Sequence, residues 1–573
     1  MTSDAPEPAA HDAGASDVGA RGAPPATAPS SVVALLALQA DVRPDALALV
    51  EGLGRGRRTI SFAALDREAR RMQGWLESRG LARGDALLVF HQPTIDLYVL
   101  LVALFRMGAT AMFVDLGAGR PTLEAACEMH RPAAVLLSPR AQLLRLVSPA
   151  LRRIPLVLAG GRWPIPGAMR ITRARAHPPV TRPPVDDPDV PALVTFTSGS
   201  TGTPRVAVRT HAFLRAQHRA LASTFGAGAG QVDLVAFPVV VLANLASGAT
   251  TVLPEADLRR PGRVDAHRLL TQLATERPAR ISAPPAMLAR LVGACTPRDP
   301  RWASVREIVT GGGPVFPDLL AALARVAPRA RRHAVYGSTE AEPIAHLEAS
   351  TIGEADVARM AAGGGLPAGP PVSPVELRIV SGLAAHADVP SAPTGSEGRA
   401  ADARDVPRFD ARDFDARTLP PGVPGEIVVT GDHVLRGYWR GIGDAETKLC
   451  VGDAIWHRTG DIGLLDADGR LWLLGRAGAA IADARGTAYP FAAECALRLR
   501  WPGLRSALVA HRGARVLVVE RAGPPDDAAL RAAVPFAMID AVVRVRRLPL
   551  DGRHESKIDY PRLRAVLDGV WGA

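Results

Sequence analysis

Lysine is almost missing from this chain. Of 68 basic residues only Lys448 and Lys557 are lysines, and the other 66 are arginine. Arginine can carry surface charge, but it cannot supply a compact ammonium with rotatable donors. The two lysines are therefore candidates for chemistry. Cysteine is scarce too: Cys127, Cys295, Cys450 and Cys495 lie far apart with no CxxC pair. That excludes a disulfide scaffold and a structural zinc site, and it predicts a reducing, cytoplasmic setting. Aromatics make up only 5%, too few for the basic–aromatic platform that stacks single-stranded nucleic acid. The chain is basic, with net charge +11 and pI about 10.3. Because basic residues run along its whole length, nucleic acid is not an expected partner. No apolar run approaches the roughly 18 residues of a membrane span, so no integral membrane segment is expected. The first residues carry Asp4, Glu7, Asp12 and Asp17 against Arg21 and lack the apolar stretch of a signal peptide. What is present is ordinary globular material: 573 residues, 47% hydrophobic and 22% charged, enough for several domains.

Residues 1–30 are rich in Ala, Pro, Gly and Ser and read as a disordered tail. From Ser31 the pattern alternates. SVVALLALQA and SFAALDREARRMQGWLESRGL have helical period, DALLVF (85–90) reads as a buried strand, and DLYVLLVALFRMG as a helix ending at Gly108. ATAMFVDL, AAVLLS (133–138) and IPLVLAG (154–160) repeat the strand signal. Strands alternating with helices predict layered, parallel α/β architecture. Residues 384–418 lose apolar periodicity and read as a surface insertion. GEIVVTGDHVLRGYW and GRLWLLGR then predict a β-rich subdomain. After Arg476 come the helix PFAAECALRLR, strands SALVAHR and ARVLVVE, the helix DDAALRAAV, the strand AVVRVRRL and a tail loop holding Lys557. The expected fold class is thus α/β: a large N-terminal domain over 31–475 and a small, mobile α+β domain over 476–573.

Five segments carry chemistry. Thr197, Ser198, Gly199, Ser200, Thr201 and Gly202 combine hydroxyls with bare backbone, which suits a phosphate. The segment is not a Walker A motif, since VAV (206–208) follows it and predicts a loop between two strands. Tyr336, Gly337, Ser338, Thr339 and Glu340 put an aromatic ring, hydroxyls and a carboxylate together, able to stack a base, touch a phosphate and hold Mg²⁺. Gly311, Gly312 and Gly313 end the strand EIVT, where bare backbone can line a flat ring. Asp461 in RTGD can take both hydroxyls of a ribose. Lys557 lies in the polar loop DGRHESKIDYP. A polar turn or strand exit is the bland reading of each segment taken alone.

Together and in this order the five resemble the adenylate-forming superfamily of acyl-CoA synthetases, luciferases and peptide-synthetase adenylation domains, over about residues 31–565. PEADLRRPGRVD (254–265), GTAYPFAAE (486–494) and DGRHESKIDYP resemble more closely the branch of the β-lactone synthetases of olefin biosynthesis and their fatty acid–CoA ligase relatives. The resemblance implies ATP-dependent activation of a carboxylic acid to an acyl-adenylate with release of pyrophosphate. It implies that residues 197–202 hold the β- and γ-phosphates, Gly311–Gly313 and Tyr336 enclose adenine, and Thr339 touches the α-phosphate. Glu340 would bind Mg²⁺, Asp461 the ribose, and Arg476, at the hinge after Gly475, would lie near ribose and phosphate. Lys557 would bridge the carboxylate and the α-phosphate. The sequence departs from the family in four places. Arg205 replaces a lysine, Ala477–Gly478–Ala479 replace a basic residue and a hinge Asp, and the usual glycine is displaced to Gly486. FPVVVLANLASG (237–248) is aliphatic where CoA-using members often place an aromatic or His before the acyl pocket, and VVVLANLASG predicts an aliphatic acid. The expected acceptor is CoA or a carrier-protein thiol. The alternative is the acid's own β-hydroxyl, without CoA, and a remote alternative is a non-catalytic basic binding protein.

Overall fold

The computed structural model describes residues 29–114, 119–161, 163–198, 204–226, 228–383, 406–521, 525–551 and 557–570. Apart from Pro29 and Ser30, the N-terminal tail lies outside them.

The predicted alternation of strand and helix builds two large sheets. In the first, strands Met169–Arg170, Leu156–Ala159, Ala134–Leu137, Ala86–Phe90, Thr110–Phe113 and Pro191–Ser198 lie side by side and parallel, and Pro204–Thr210 closes the edge antiparallel. Its central strands are buried along their length, as strands covered by helices on both faces must be. The helix Ile95–Met107 covers one face. Thr94 caps it by accepting a hydrogen bond from the Leu97 N–H, and Gly108 ends it in the left-handed region at φ 72°. Nearly every side chain on that helix is buried, Arg106 among them through its 2.8 Å ion pair to Asp66.

The second sheet runs Ala341–Glu348, Arg331–Ser338, Glu307–Gly311, Arg280–Ser282, Val232–Val235, Thr250–Val252, Leu47–Glu51 and Arg58–Ser61, parallel through its middle and antiparallel at both edges. A third, mostly antiparallel sheet is the β-rich subdomain. It is built around Leu366–Gly369, Leu471–Arg476, Ala454–Leu465, Gly425–Thr430 and Glu376–Val380. The C-terminal part holds a three-stranded sheet of Ser506–His511, Ala514–Glu520 and Ala541–Val545. Its helix Pro490–Arg500 also packs on the helices Pro317–Val326 and Glu354–Ala361.

Three segments differ from their reading as sequence. GEIVVTGDHVLRGYW is a strand only over Gly425–Thr430. Beyond it the backbone leaves the sheet to bond elsewhere, Val434 opposite Ala341 and Tyr438 opposite Ala207. Residues 406–418 are ordered chain, with a short strand Arg408–Phe409 and a helix Ala411–Arg417 that buries Phe414 against Trp456. After Lys557 the chain forms a helix, Tyr560–Val570, that buries Leu563 and Leu567, one turn apart, in the small sheet's core.

Under the second sheet lies a buried ionic cluster. The Arg280 Nε donates to Asp233 Oδ2 at 3.0 Å, Asn244 Nδ2 donates to the same oxygen at 3.0 Å, and Arg280 Nη1 reaches the Phe225 carbonyl at 2.8 Å. Asp233→Ala leaves the buried guanidinium with the Phe225 carbonyl and a longer, 3.4 Å contact to Glu307 Oε2, and its cost is expected at about 3 kcal/mol. Chemical denaturation of the two proteins measures this, and a change below about 0.5 kcal/mol would show that the pair is dispensable.

Candidate active site

The strands Pro191–Ser198 and Pro204–Thr210 pair in the register Thr197↔Arg205 and Ser198↔Pro204. The phosphate segment is thus the connection of an antiparallel hairpin, as VAV predicted. The connection itself, Gly199, Ser200, Thr201 and Gly202 included, lies outside the described residues.

The other motifs converge around the ends of neighbouring strands. Gly311 ends Glu307–Gly311, and a Cβ there would stand 2.7 Å from the Val335 carbonyl oxygen. Only glycine lets the two strands approach this closely, and Gly312 turns away at φ 76°. Gly313 follows in the bend. Tyr336, Gly337 and Ser338 finish the adjacent strand, and Thr339 and Glu340 form the tight turn into Ala341–Glu348. Ser338 Oγ accepts from the Glu340 N–H at 3.2 Å, and Arg209 donates to the Thr339 carbonyl at 2.9 Å. The arginine thereby ties this turn to the phosphate hairpin.

Asp461 comes from the third sheet. The Tyr336 hydroxyl donates to Asp461 Oδ2 at 2.8 Å, and Arg476 Nη1 donates to Oδ1 at 3.0 Å. Burial and the Asp461 carboxylate push the Tyr336 phenol well up, so it stays a donor. Residues of three separate motifs thus meet at one carboxylate.

Glu340 lies at the centre of a second cluster. The Tyr438 hydroxyl donates to its Oε1 at 2.6 Å, and its carbonyl accepts from the Leu435 N–H at 2.7 Å. Burial alone would raise this carboxyl, but His457, Tyr438 and Lys448 outweigh burial and hold it down at about 2. Lys448 is 1% exposed. Its Nζ donates to the Leu435 carbonyl, stands 3.3 Å from His457 Nδ1 and lies 5.2 Å from the centre of the Tyr438 ring. Burial and the lysine push the His457 ring down to about 3, so it is charged only at the acid pH where Glu340 itself titrates, and at neutral pH the Lys448 charge faces the carboxylate. Arg205 also turns toward this cluster. Its guanidinium lies 6.0 Å from the Tyr438 ring centre and 3.9 Å from Glu446.

Glu340 is therefore an ionised oxygen donor on the turn that Arg209 links to the phosphate hairpin. Among the described residues no group of three or more His, Cys, Asp or Glu side chains can hold a metal. An ion bound at Glu340 would take its other ligands from phosphate and water, as Mg²⁺ does.

Lys557 sits in the small sheet's closing loop. Its N–H donates to Asp551 Oδ1 at 3.0 Å, its carbonyl accepts from the Asp551 N–H at 2.9 Å, and the residue is exposed. The contacts described above bring Tyr336, Asp461 and Arg476 together and set Thr339 and Glu340 beside Arg209, and Lys557 has no place in that set. The reading of the sequence missed Tyr438, His457 and Arg209. The rarity of lysine flagged Lys448, but gave it no role or partner.

A family model described as "AMP-binding enzyme" matches residues 36–398. The chain belongs to that family. It is an adenylate-forming ligase, which activates a carboxylic acid with ATP to an acyl-adenylate. An olefin β-lactone synthetase from Stenotrophomonas maltophilia is 30% identical over 95% of this chain and 98% of its own. A 2-succinylbenzoate–CoA ligase from Bacillus licheniformis is 25% identical over 80% of this chain and 82% of its own. Among solved structures, ATP-bound MatB from Rhodopseudomonas palustris superposes with TM-score 0.73 at 21% identity, over 94% of this chain and 99% of its own. That likeness establishes the α/β fold. No helix among the described residues is long and apolar enough to cross a membrane.

Burial lowers the Lys448 ammonium from 10.5 to about 8. Between those values the unfolded chain binds more protons than the folded one, so this residue makes the fold gain stability as pH rises through that window. The stability of the wild type minus that of Lys448→Met is therefore expected to increase from about pH 8 upward and level off near 10.5. Denaturation curves across that range test this, and a difference independent of pH would contradict the burial of the charge.

Proposed function

We propose that this adenylate-forming ligase acts on an aliphatic β-hydroxy acid, and that the acid's own hydroxyl is the acceptor. The observation that carries this reading is extent of likeness. Olefin β-lactone synthetases match at 30% identity along 95% of the chain, whereas the CoA-using relatives match 79–80% of it at 25–27%. Local sequence supports it. Ala477–Gly478–Ala479 offer no basic side chain to a CoA phosphate, and the helix Pro238–Ser247 is aliphatic. Transfer to CoA or a carrier-protein thiol is the second reading, favoured by those same CoA-ligase relatives.

In this reading the hairpin connection after Ser198 receives the β- and γ-phosphates. Gly311–Gly313 and Tyr336 face adenine, and Asp461 exchanges its Tyr336 and Arg476 contacts for the ribose hydroxyls. Mg²⁺ bound through Glu340 would neutralise phosphate charge when present. Tyr438 and Lys448 keep Glu340 ionised and aimed, and Arg209 fixes the backbone of Thr339 beside the α-phosphate. The substrate carboxylate attacks the α-phosphorus and pyrophosphate leaves. The β-hydroxyl then attacks the activated carbonyl, losing its proton, and AMP departs. The product is the acid less one water. Such a ring closure is intramolecular and gains a large effective concentration. Residues 476–573 serve as the small moving unit that delivers Lys557. The reducing cytoplasm is the compartment that four free cysteines fit.

Incubation of a long-chain β-hydroxy acid with ATP, with and without CoA, tests the acceptor by mass spectrometry. The expected product is CoA-independent and lighter than the acid by one water. A thioester that forms only with CoA would replace this reading with the ligase one.

Lys557→Ala is expected to leave ATP binding near wild type, because the nucleotide contacts come from the large body. It should slow acid-dependent exchange of pyrophosphate into ATP by on the order of 10²-fold or more. Exchange at the wild-type rate would remove Lys557 from the chemistry.

A further inference from the structure

Arginines occur along the whole chain, but carboxylates do not. Between residues 129 and 185 there are ten arginines and no Asp or Glu. Ten of the eleven surplus positive charges of the protein therefore arise in this one stretch.

The same stretch carries the most exposed apolar side chains. Trp163 is 76% exposed, Leu146 72% and Leu143 65%, the three highest values for large hydrophobic residues among those described, and Val147 adds 55%. They stand on two neighbouring connecting loops. One, residues 138–147, follows the strand Ala134–Leu137 and winds through the short helical turns Ala141–Leu143 and Leu144–Val147. The other, from Gly160 on, follows its parallel neighbour Leu156–Ala159. The loops touch: the Gly161 Cβ position is 3.3 Å from the Pro139 side chain, and that of Gly167 is 3.6 Å from the Arg145 guanidinium.

Positive charge brackets the apolar residues. Arg140, Arg152 and Arg153 are exposed, and Arg145 is half-buried. Among the described residues none of the four has a carboxylate within ion-pair distance. Arg152 instead holds the Leu146 carbonyl at 3.0 Å, and Arg145 holds Gln142 Oε1 at 3.3 Å.

Both loops lie at the carboxyl end of the first sheet, the edge at which the strand Pro191–Ser198 also ends. Three to four strand spacings separate them from it, about 15–20 Å. A surface held there would face the side of the molecule at which nucleotide and acid meet.

We propose that this face docks on an anionic lipid bilayer. Trp163, Leu143, Leu146 and Val147 enter the boundary between headgroups and acyl chains, and the unpaired arginines meet lipid phosphates. Tryptophan and leucine beside arginine are the side chains that suit this boundary. A water-facing surface would not keep such side chains so exposed without a partner. Arg175 and Arg182 of this stretch pair with Asp96 and Glu77, but around the apolar residues Arg140, Arg145, Arg152 and Arg153 meet no carboxylate among the described residues, which is charge complementarity to an anionic plane rather than to the mixed charges of an ordinary protein surface. An aliphatic acid stored in the bilayer would then be drawn from the surface on which the enzyme rests. Docking depends on exposed apolar side chains and charge alone, whatever acid the enzyme takes.

The test is co-sedimentation of the full chain with vesicles of phosphatidylcholine alone and of equal parts phosphatidylcholine and phosphatidylglycerol, with pyrophosphate exchange in lipid-free solution as the control for fold. The expected result is binding to the anionic vesicles only, weakened by salt. Arg140→Gln and Arg153→Gln should each weaken it about fivefold. Trp163→Glu with Leu146→Glu should abolish it while exchange in solution is kept. Failure to sediment with anionic vesicles overturns the proposal, as does binding indifferent to these substitutions. Capture of a soluble acidic carrier protein by the same residues without vesicle binding overturns it in favour of a protein partner.

Discussion

The hydrogen bond from Tyr438 to Glu340 is the contact on which the site is built. It joins residues 98 apart in sequence and requires the chain after Gly425–Thr430 to abandon its sheet. The crossing segment then bonds on one side to the hairpin strand that holds Ala207 and on the other to the turn that holds Glu340. Three sheets are thereby fixed relative to one carboxylate. The geometry costs burial of a phenol, an ammonium and an imidazole close together, and the cluster offsets it through opposite charge and backbone carbonyls.

The frame of the fold was legible where local signals agreed. Thr94, the apolar face that follows and Gly108 mark one helix start to end, and the strand over residues 86–90 reads as continuous apolar chain because helices cover both its faces. Legibility failed where tertiary contacts override local pattern. His433–Trp439 keeps enough apolar alternation to look like strand, yet its backbone partners lie in two other sheets. The helix Tyr560–Val570 is hidden behind a polar loop, and its only signal is the pair Leu563 and Leu567.

In the site, motif order identified Tyr336, Asp461 and Arg476 as neighbours through family resemblance, and their shared hydrogen bonds agree. The second layer was invisible. Leu435, Tyr438 and His457 around the Lys448 ammonium lie within about a dozen residues of it, but the acid at the centre of the cluster, Glu340, comes from a distant turn that nothing near Lys448 announces. The charge of residues 129–185 was legible but was averaged away: arginines appear everywhere, and only the distribution of Asp and Glu reveals the segregation.

The two lysines have a chemical consequence. An acyl-adenylate is an electrophile, and a side-chain amine that meets one becomes an amide. Arginine, protonated at every working pH, does not react in this way. Lys448 is enclosed beneath the Leu435 carbonyl, so the exposed side-chain amine left to an activated acyl group escaping its pocket is Lys557. A protein that makes acyl-adenylates thus presents them with almost no side-chain amine, and amide formation on its own lysines falls on Lys557.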